Sequence, residues 1–369
     1  MWGSSRPFFL LCALSWGVAL GSRQYKAAEL TGKSCGEAGL TEEEAAACAD
    51  PLREETKSKI LKHLERRLAV IGRREADAYR GRGPFPHAVF DDMIPRTVLE
   101  RLVNRRNSRR GGQQWNVQGQ GEPSSSEIQC DEARGWHCIK DKKRKPLKMT
   151  LADETKMHPV AQGVMAALKS PLFVSFLERV SGISPLTPDP HNEGGGLHET
   201  GRGGALQIHA DFRRHPFTGW ERRVNAFVYL NDDWNATWNG DLELWQRDMA
   251  KCAKKIPTIF GRFVMFSSHD FSYHGHAEPL DCPPSRSRKS MAFYYYSPID
   301  RPPETIDGRF NANHSTLYQV DKYLHSPCGT CSDQYNRKLK IGRKCSASQK
   351  RSRRSSFIRR RRTLQEANA

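Results

Sequence analysis

The chain has 369 residues, enough for one large domain or two smaller ones, and carries no internal repeat. Only 37% of it is hydrophobic, which suffices for one core with polar appendages and leaves no apolar segment beyond the N-terminus long enough to span a membrane. The net charge of +18 is unevenly spread, because thirteen Lys or Arg and no Asp or Glu fall between Arg337 and Arg362.

At the N-terminus, Arg6 precedes an apolar run of fourteen residues, Pro7–Leu20, and the small residues Gly21 and Ser22 follow. This is the layout of a signal peptide over residues 1–21, with an uncleaved signal anchor or an organelle-targeting leader as rivals. It predicts the endoplasmic reticulum, the Golgi lumen or secretion, or membrane anchoring if the signal is retained. Residues 22–82 read as a cysteine-bearing lead followed by a charged segment with helical spacing through Ile60, Leu61 and Leu64. Cysteine use fits an oxidising compartment. Cys35 with Cys48, and Cys130 with Cys138, are predicted local bridges, and the odd count leaves one thiol free or paired between chains. Asn235-Ala-Thr237 and Asn313-His-Ser315 are glycosylation sequons.

Residues 83–300 form the predicted central domain. Pro84–Asp92 reads as its opening strand, and a helix follows through Val98–Val103. Residues 105–150, rich in Arg, Gly, Ser and Lys, read as a long loop, either a cover for a substrate groove or a plain insertion. Residues 158–182 suit helices, and the Gly- and Pro-rich residues 187–204 lead into a dense series of short strands separated by turns. These include Leu206–His209, Arg222–Tyr229, Leu242–Trp245, Phe263–Phe266 and Ser290–Tyr296. Such a series predicts an all-β barrel or jelly roll.

Three residues in this series carry chemistry. His209 and Asp211 stand two apart, so on a strand both side chains face the same way. With His274 they supply the two imidazoles and one carboxylate of a facial-triad iron site, which leaves positions open for further ligands. A cation deeper in the pocket, Arg288, would hold the far carboxylate of a 2-oxo acid, since its planar fork matches a carboxylate. His276 competes with His274, and Arg286 with Arg288; spacing from the preceding strand favours His274, and the following Ser290 favours Arg288.

The order of these segments resembles the catalytic core of the prolyl 4-hydroxylase branch of the Fe(II)/2-oxoglutarate dioxygenases, over about residues 85–300 and most strongly over 196–297. It is similar to the hypoxia-type prolyl hydroxylases through Arg222 or Arg223 leading to Tyr229-Leu230-Asn231 and Asp233-Trp234. It is more similar to oxygenases whose last strand reads Arg-x-Ser before a tyrosine run, here Arg288-Lys289-Ser290 and Tyr294–Tyr296. The resemblance implies a mainly β fold, a double-stranded β-helix with flanking helices. It implies His209, Asp211 and His274 as Fe(II) ligands, and Arg288 with Tyr229 as the binders of 2-oxoglutarate. It implies use of O₂, release of succinate and CO₂, ascorbate as reductant, and hydroxylation of prolyl residues in a protein or peptide. Lysyl or small-molecule hydroxylation is the alternative within the superfamily. A non-catalytic binding module with the same barrel is the alternative outside catalysis.

Residues 301–335 read as a cysteine-containing extension, in which Cys328-Gly-Thr-Cys331 suits a disulfide better than a redox or zinc motif. Residues 336–369 are too basic and polar to pack a core and read as a disordered tail. The tail could bind an acidic partner or an anionic surface, and a secreted chain would not use it for nucleic acid.

Overall fold

A computed structural model describes residues 33–36, 39–71, 73–103, 131–140 and 146–319. The signal sequence, the Cys328–Cys331 pair and the basic tail lie outside the described residues. Three helices open the chain: α1 (Glu42–Cys48), α2 (Pro51–Val70) and α3 (Arg73–Gly81). Asp50 starts α2 by accepting a hydrogen bond from the Leu52 N–H at 2.7 Å, and Pro51 fits the first turn because it has no N–H to leave unpaired. Thr56, Ile60, Leu64 and Leu68 recur every four residues along α2 and bury one face. That face packs against α5 (Pro159–Leu168), and α6 (Pro171–Ser181) receives α3. Ser170 caps α6 at its start, and Gly182 ends it in the left-handed conformation at φ 73°. No described helix is by itself long and apolar enough to cross a membrane.

The remaining elements are strands, apart from α4 (Arg96–Val103) and short 3₁₀ turns. The main sheet contains β1 (His87–Phe90), β2 (His137–Lys140), β3 (Pro146–Leu151), β4 (Thr187–Pro188), β5 (Gly196–Gly201), β7 (Glu221–Tyr229), β10 (Phe263–Ser267) and β12 (Ser287–Ser297). Its order is β1-β10-β7-β12-β5-β3-β2, with β4 pairing on β12. The smaller sheet, in the order β13-β6-β11-β8-β9, contains β6 (Leu206–Ala210), β8 (Leu242–Trp245), β9 (Cys252–Ile256), β11 (His274–His276) and β13 (Leu317–Tyr318). From β5 to β8, and again from β10 to β12, the chain changes sheet at every strand. That alternation winds two sheets face to face into a double-stranded β-helix with flanking helices, as the sequence predicts.

The outer face of the main sheet and the helices share one apolar core. Ile60 and Leu64 of α2, Phe173 and Phe176 of α6, and Val224, Ala226, Phe263 and Met265 of the sheet all belong to it. The N-terminal helices therefore pack into the barrel's own core and do not stand as a separate unit. Two parts of the chain differ from expectation. Residues 105–150 are not loop throughout: β2 and β3 form a hairpin that extends the main sheet through pairing of β3 with β5. Each strand is short and charged, so the pattern gives little local signal until β5 provides an edge to pair with. The extension beyond residue 300 also contributes, because β13 adds to the edge of the smaller sheet beside β6.

Cys35 and Cys48 form the predicted disulfide. Cys138 and Cys252 each take part in a separate disulfide, and Cys130, the predicted partner of Cys138, lies outside the described residues. Cys282, which is fully buried, is the free thiol among the described cysteines.

Candidate active site

Strands β6 and β11 run antiparallel, and His209 stands directly opposite His274. The ring centroids lie 4.4 Å apart. Asp211 follows β6 on the same face. Its Oδ1 lies 3.4 Å from Nε2 of His209, and its Oδ2 lies 3.7 Å from Nε2 of His274. The three possible ligand atoms fall within 4.8 Å of one another, and among the described residues this is the one His/Cys/Asp/Glu cluster with such geometry.

The surroundings fit a metal. Nδ1 of His209 bonds the Gln207 carbonyl at 2.7 Å, and Nδ1 of His274 bonds the Ser272 carbonyl at 2.8 Å. A carbonyl only accepts, so both Nδ1 atoms carry the proton and both Nε2 lone pairs face the cluster. Burial favours the neutral form of His274 and pulls its pKa down to about 4, although Asp211 pulls the other way. Burial alone would keep Asp211 protonated, but Arg222, His274 and His209 outweigh it and hold the carboxyl well below its usual range. Oδ2 of Asp211 is occupied by protein donors: Asn225 Nδ2 at 2.5 Å and Arg222 Nη2 at 3.3 Å. Oδ1 is left to face His209. Arg222 is itself fixed, because Nε donates to Asn225 Oδ1 at 2.8 Å and its guanidinium lies over the rings of Tyr294 and Phe212.

These groups line a cavity of about 170 Å³ between the two sheets. From the main sheet come Lys148, His198, Thr200, Arg222, Phe227, Tyr229, Arg288, Ser290 and Tyr294, and from the smaller sheet Leu206, His209, Leu242, His274 and His276. On β5, β11 and β12 the lining residues stand two or four apart, the pleat of a strand facing inward, whereas register irregularities break that parity on β6 and β7. Arg288 is buried against Tyr229, with its guanidinium carbon 5.0 Å from the ring centroid, and its Nε donates to the Gly240 carbonyl at 2.7 Å. Gly240 stands at φ 93°, and a Cβ there would meet Leu280 Cδ2 at 2.8 Å and Arg288 Cδ at 3.1 Å. The bare glycine is what lets the arginine lie flat.

The structure thus brings together every predicted site residue: His209, Asp211, His274, Arg288 and Tyr229. The competitors fall elsewhere. His276 lines the cavity but lies outside the cluster, and Arg286 lies near Trp238. Asn225, Lys148 and Tyr318 are site residues that reading the sequence does not single out. For Asn225 a signal was present, since it shares the inward parity of Phe227 and Tyr229 on β7. Lys148 stands in a lysine-rich stretch that gives no such cue, and Tyr318 lies past the matched motifs.

Comparison with known proteins agrees with this geometry. Residues 195–296 match the sequence model of the 2OG-Fe(II) oxygenase superfamily, and they hold all three cluster residues, Tyr229 and Arg288. The match takes in 102 of the 369 residues, and through this segment the chain is similar to that superfamily. No curated protein matches the chain. Among solved structures, a prolyl 4-hydroxylase from Phytophthora capsici is similar at 17% identity and TM-score 0.42, covering 68% of each chain. The Trichoplax adhaerens prolyl hydroxylase, solved with a hypoxia inducible factor peptide, is similar at 15% identity and TM-score 0.35, covering 66% of this chain and 90% of that one. HygX from Streptomyces hygroscopicus, solved with nickel and 2-oxoglutarate, is similar at 12% identity and TM-score 0.38, covering 61% of this chain and 87% of that one.

Proposed function

We propose that the chain is a Fe(II)/2-oxoglutarate-dependent dioxygenase that hydroxylates prolyl residues of a protein or peptide. The observation that carries the reading is one cavity that holds both a His-Asp-His cluster and Arg288 beside Tyr229, an arginine with no carboxylate partner among the described residues. In this reading His209, Asp211 and His274 hold Fe(II), and Arg288 and Tyr229 hold the distal carboxylate of 2-oxoglutarate. The bound iron supplies O₂ chemistry coupled to decarboxylation of the 2-oxo acid to succinate and CO₂. The protein's part is positioning. The two backbone carbonyls fix the imidazole tautomers, and Asn225 and Arg222 keep Oδ2 of Asp211 engaged. The buried walls keep bulk water from the co-substrate.

The prolyl assignment rests on the motif order Tyr229-Leu230-Asn231, Asp233-Trp234 and Arg288-Lys289-Ser290, together with an aromatic cavity wall. Phe212, Tyr294 and the half-exposed Tyr318 all line the cavity. Aromatic walls suit a proline ring, which has no N–H to satisfy. The disulfides and the predicted signal sequence support work in the secretory lumen. Ascorbate would serve as reductant, as the resemblance implies.

The test starts without substrate. Metal-free protein receives Fe(II) and 2-oxoglutarate under anaerobic conditions, and the visible charge-transfer band of the chelate is recorded. The band should vanish in Asp211→Ala and weaken in Arg288→Ala. No band from the folded wild type would sink the oxygenase reading and leave the binding-module alternative. Proline-bearing and lysine-bearing peptides are then compared by coupled succinate release, and release with lysine peptides alone would overturn the prolyl assignment.

A further inference from the structure

The main sheet places a second cation beside Arg288. Lys148 on β3 pairs with Thr200 on β5, and Thr200 pairs with Arg288 on β12. Directly paired residues on neighbouring strands share a face, so all three side chains turn inward, and all three line the cavity. Strands are spaced by about 4.8 Å, so Lys148 and Arg288 start roughly 10 Å apart, with only the short Thr200 between them. Two long cationic side chains can then approach one guest above that threonine. From the opposite sheet His276 faces the same space, 4% exposed, with Nδ1 lacking any hydrogen-bond partner.

Neither cation has an acid of its own. Among the described residues no carboxylate lies within ion-pair distance of Lys148 or Arg288, and the recorded bonds of Arg288 go to the Gly240 carbonyl and Tyr229. Burial and the neighbouring Arg288 both work against the Lys148 ammonium, and Asp211 only partly compensates. A buried cation such as Arg288 is costly without a counter-charge, and a second, half-buried one beside it adds to the cost. The arrangement makes sense if the counter-charge arrives with a ligand.

Building on the proposed function, we propose that Lys148 is a second anchor for the distal carboxylate of the 2-oxo acid. In this assignment Arg288 takes one edge of the carboxylate and Lys148 the other. The pair makes the site selective for 2-oxo dicarboxylates over monocarboxylic 2-oxo acids. Lys148 is a positioning residue and takes no part in bond making.

Lys148→Met, which keeps the stem and removes the charge, tests the assignment through two readouts other than turnover. The first is the anaerobic Fe(II) chelate band, titrated with 2-oxoglutarate and separately with 2-oxobutyrate, which lacks the distal carboxylate. The variant should bind 2-oxoglutarate about tenfold to a hundredfold more weakly, the range for loss of one charge-assisted hydrogen bond. Its binding of 2-oxobutyrate should not change, and Lys148→Arg should retain most of the 2-oxoglutarate affinity. The second readout is thermal unfolding of the metal-free protein. Removing a half-buried cation that crowds Arg288 should raise the melting temperature, whereas removing a structural lysine should lower it. Unchanged 2-oxoglutarate binding, equal loss with both acids, or a less stable metal-free variant would each overturn the role of Lys148. Absence of a band from the wild type with either acid would instead overturn the proposed function, and this inference with it.

Discussion

Arg222→Met is the substitution that best probes how the site is held. Arg222 is 2% exposed, and its Nη2 lies 3.3 Å from Oδ2 of Asp211. Methionine fills much of the same volume against Tyr294 and Phe212 but removes the arginine cation, leaving the Asp211 carboxylate beside Asn225 and the imidazoles of His209 and His274. Removing one partner of a buried pair costs about 3–5 kcal/mol. Here the cost has a ceiling, because Asp211 can take up a proton instead. Protonating a carboxyl with an unfolded pKa of about 3.9 costs about 4 kcal/mol at pH 7. The metal-free variant should therefore lose about 3–4 kcal/mol at pH 7, or roughly 6–16 °C in Tm. The sign with pH follows from the same reasoning. In the wild type the Asp211 pKa is depressed, so its stabilisation is present above about pH 4 and is lost as pH falls further. In the variant burial outweighs the remaining partners and the Asp211 pKa rises above its unfolded value, so the difference between the two proteins should shrink from pH 7 towards pH 4. A divalent metal restores a counter-charge, so Ni(II) should raise the Tm of the variant more than that of the wild type. The assay is urea and thermal unfolding at pH 7, 5.5 and 4, with and without Ni(II). Equal metal-free stability at pH 7, or a difference that stays constant down to pH 4, would refute the reasoning.

Three further outcomes are expected. Gly240→Ala forces an L side chain to φ 93° and a Cβ into contact with Leu280 and Arg288. Titration of the chelate band should show about tenfold weaker 2-oxoglutarate binding with Fe(II) binding intact, and equal loss of both would contradict a local effect on Arg288. Burial, reinforced by Lys148 and Arg288, pulls the His198 pKa down to about 3, so the folded state keeps this ring neutral where the unfolded chain would protonate it. Its stabilisation is full above about pH 6.5 and is lost as pH falls towards 3, and His198→Asn should flatten the stability slope by up to about 1.4 kcal/mol per pH unit in that window. Urea midpoints of the metal-free protein measure this, and an unchanged slope would contradict it. Tyr318 is 52% exposed, with its ring 5.4 Å from that of His209. Tyr318→Ala should raise the KM for a peptide severalfold while leaving substrate-free 2-oxoglutarate turnover unchanged, and the opposite pattern would place Tyr318 in co-substrate binding.

Much of the site is legible in the residues themselves because it depends on local periodicity. The spacing of His209 and Asp211 places both on one face of whatever strand they form. Dense short strands broken by glycine and asparagine turns define a sheet-on-sheet fold before any pairing is known. The Arg288-Lys289-Ser290 pattern before a tyrosine run points to Arg288 through resemblance alone, as the cation proposed to hold the co-substrate. What the sequence leaves open are matters of register between distant strands. His274 and His276 share a parity, and His274 becomes the partner of His209 only through the pairing of β11 with β6, which is irregular before His276. Lys148 becomes a site residue only because β3 pairs with β5, some fifty residues later. Arg222 and Asn225 reach Asp211 only because the two sheets close face to face. Local pattern fixes which side of a strand a residue occupies, whereas which strands lie together is decided by burying the apolar faces of both sheets at once, and that balance is set by the whole chain.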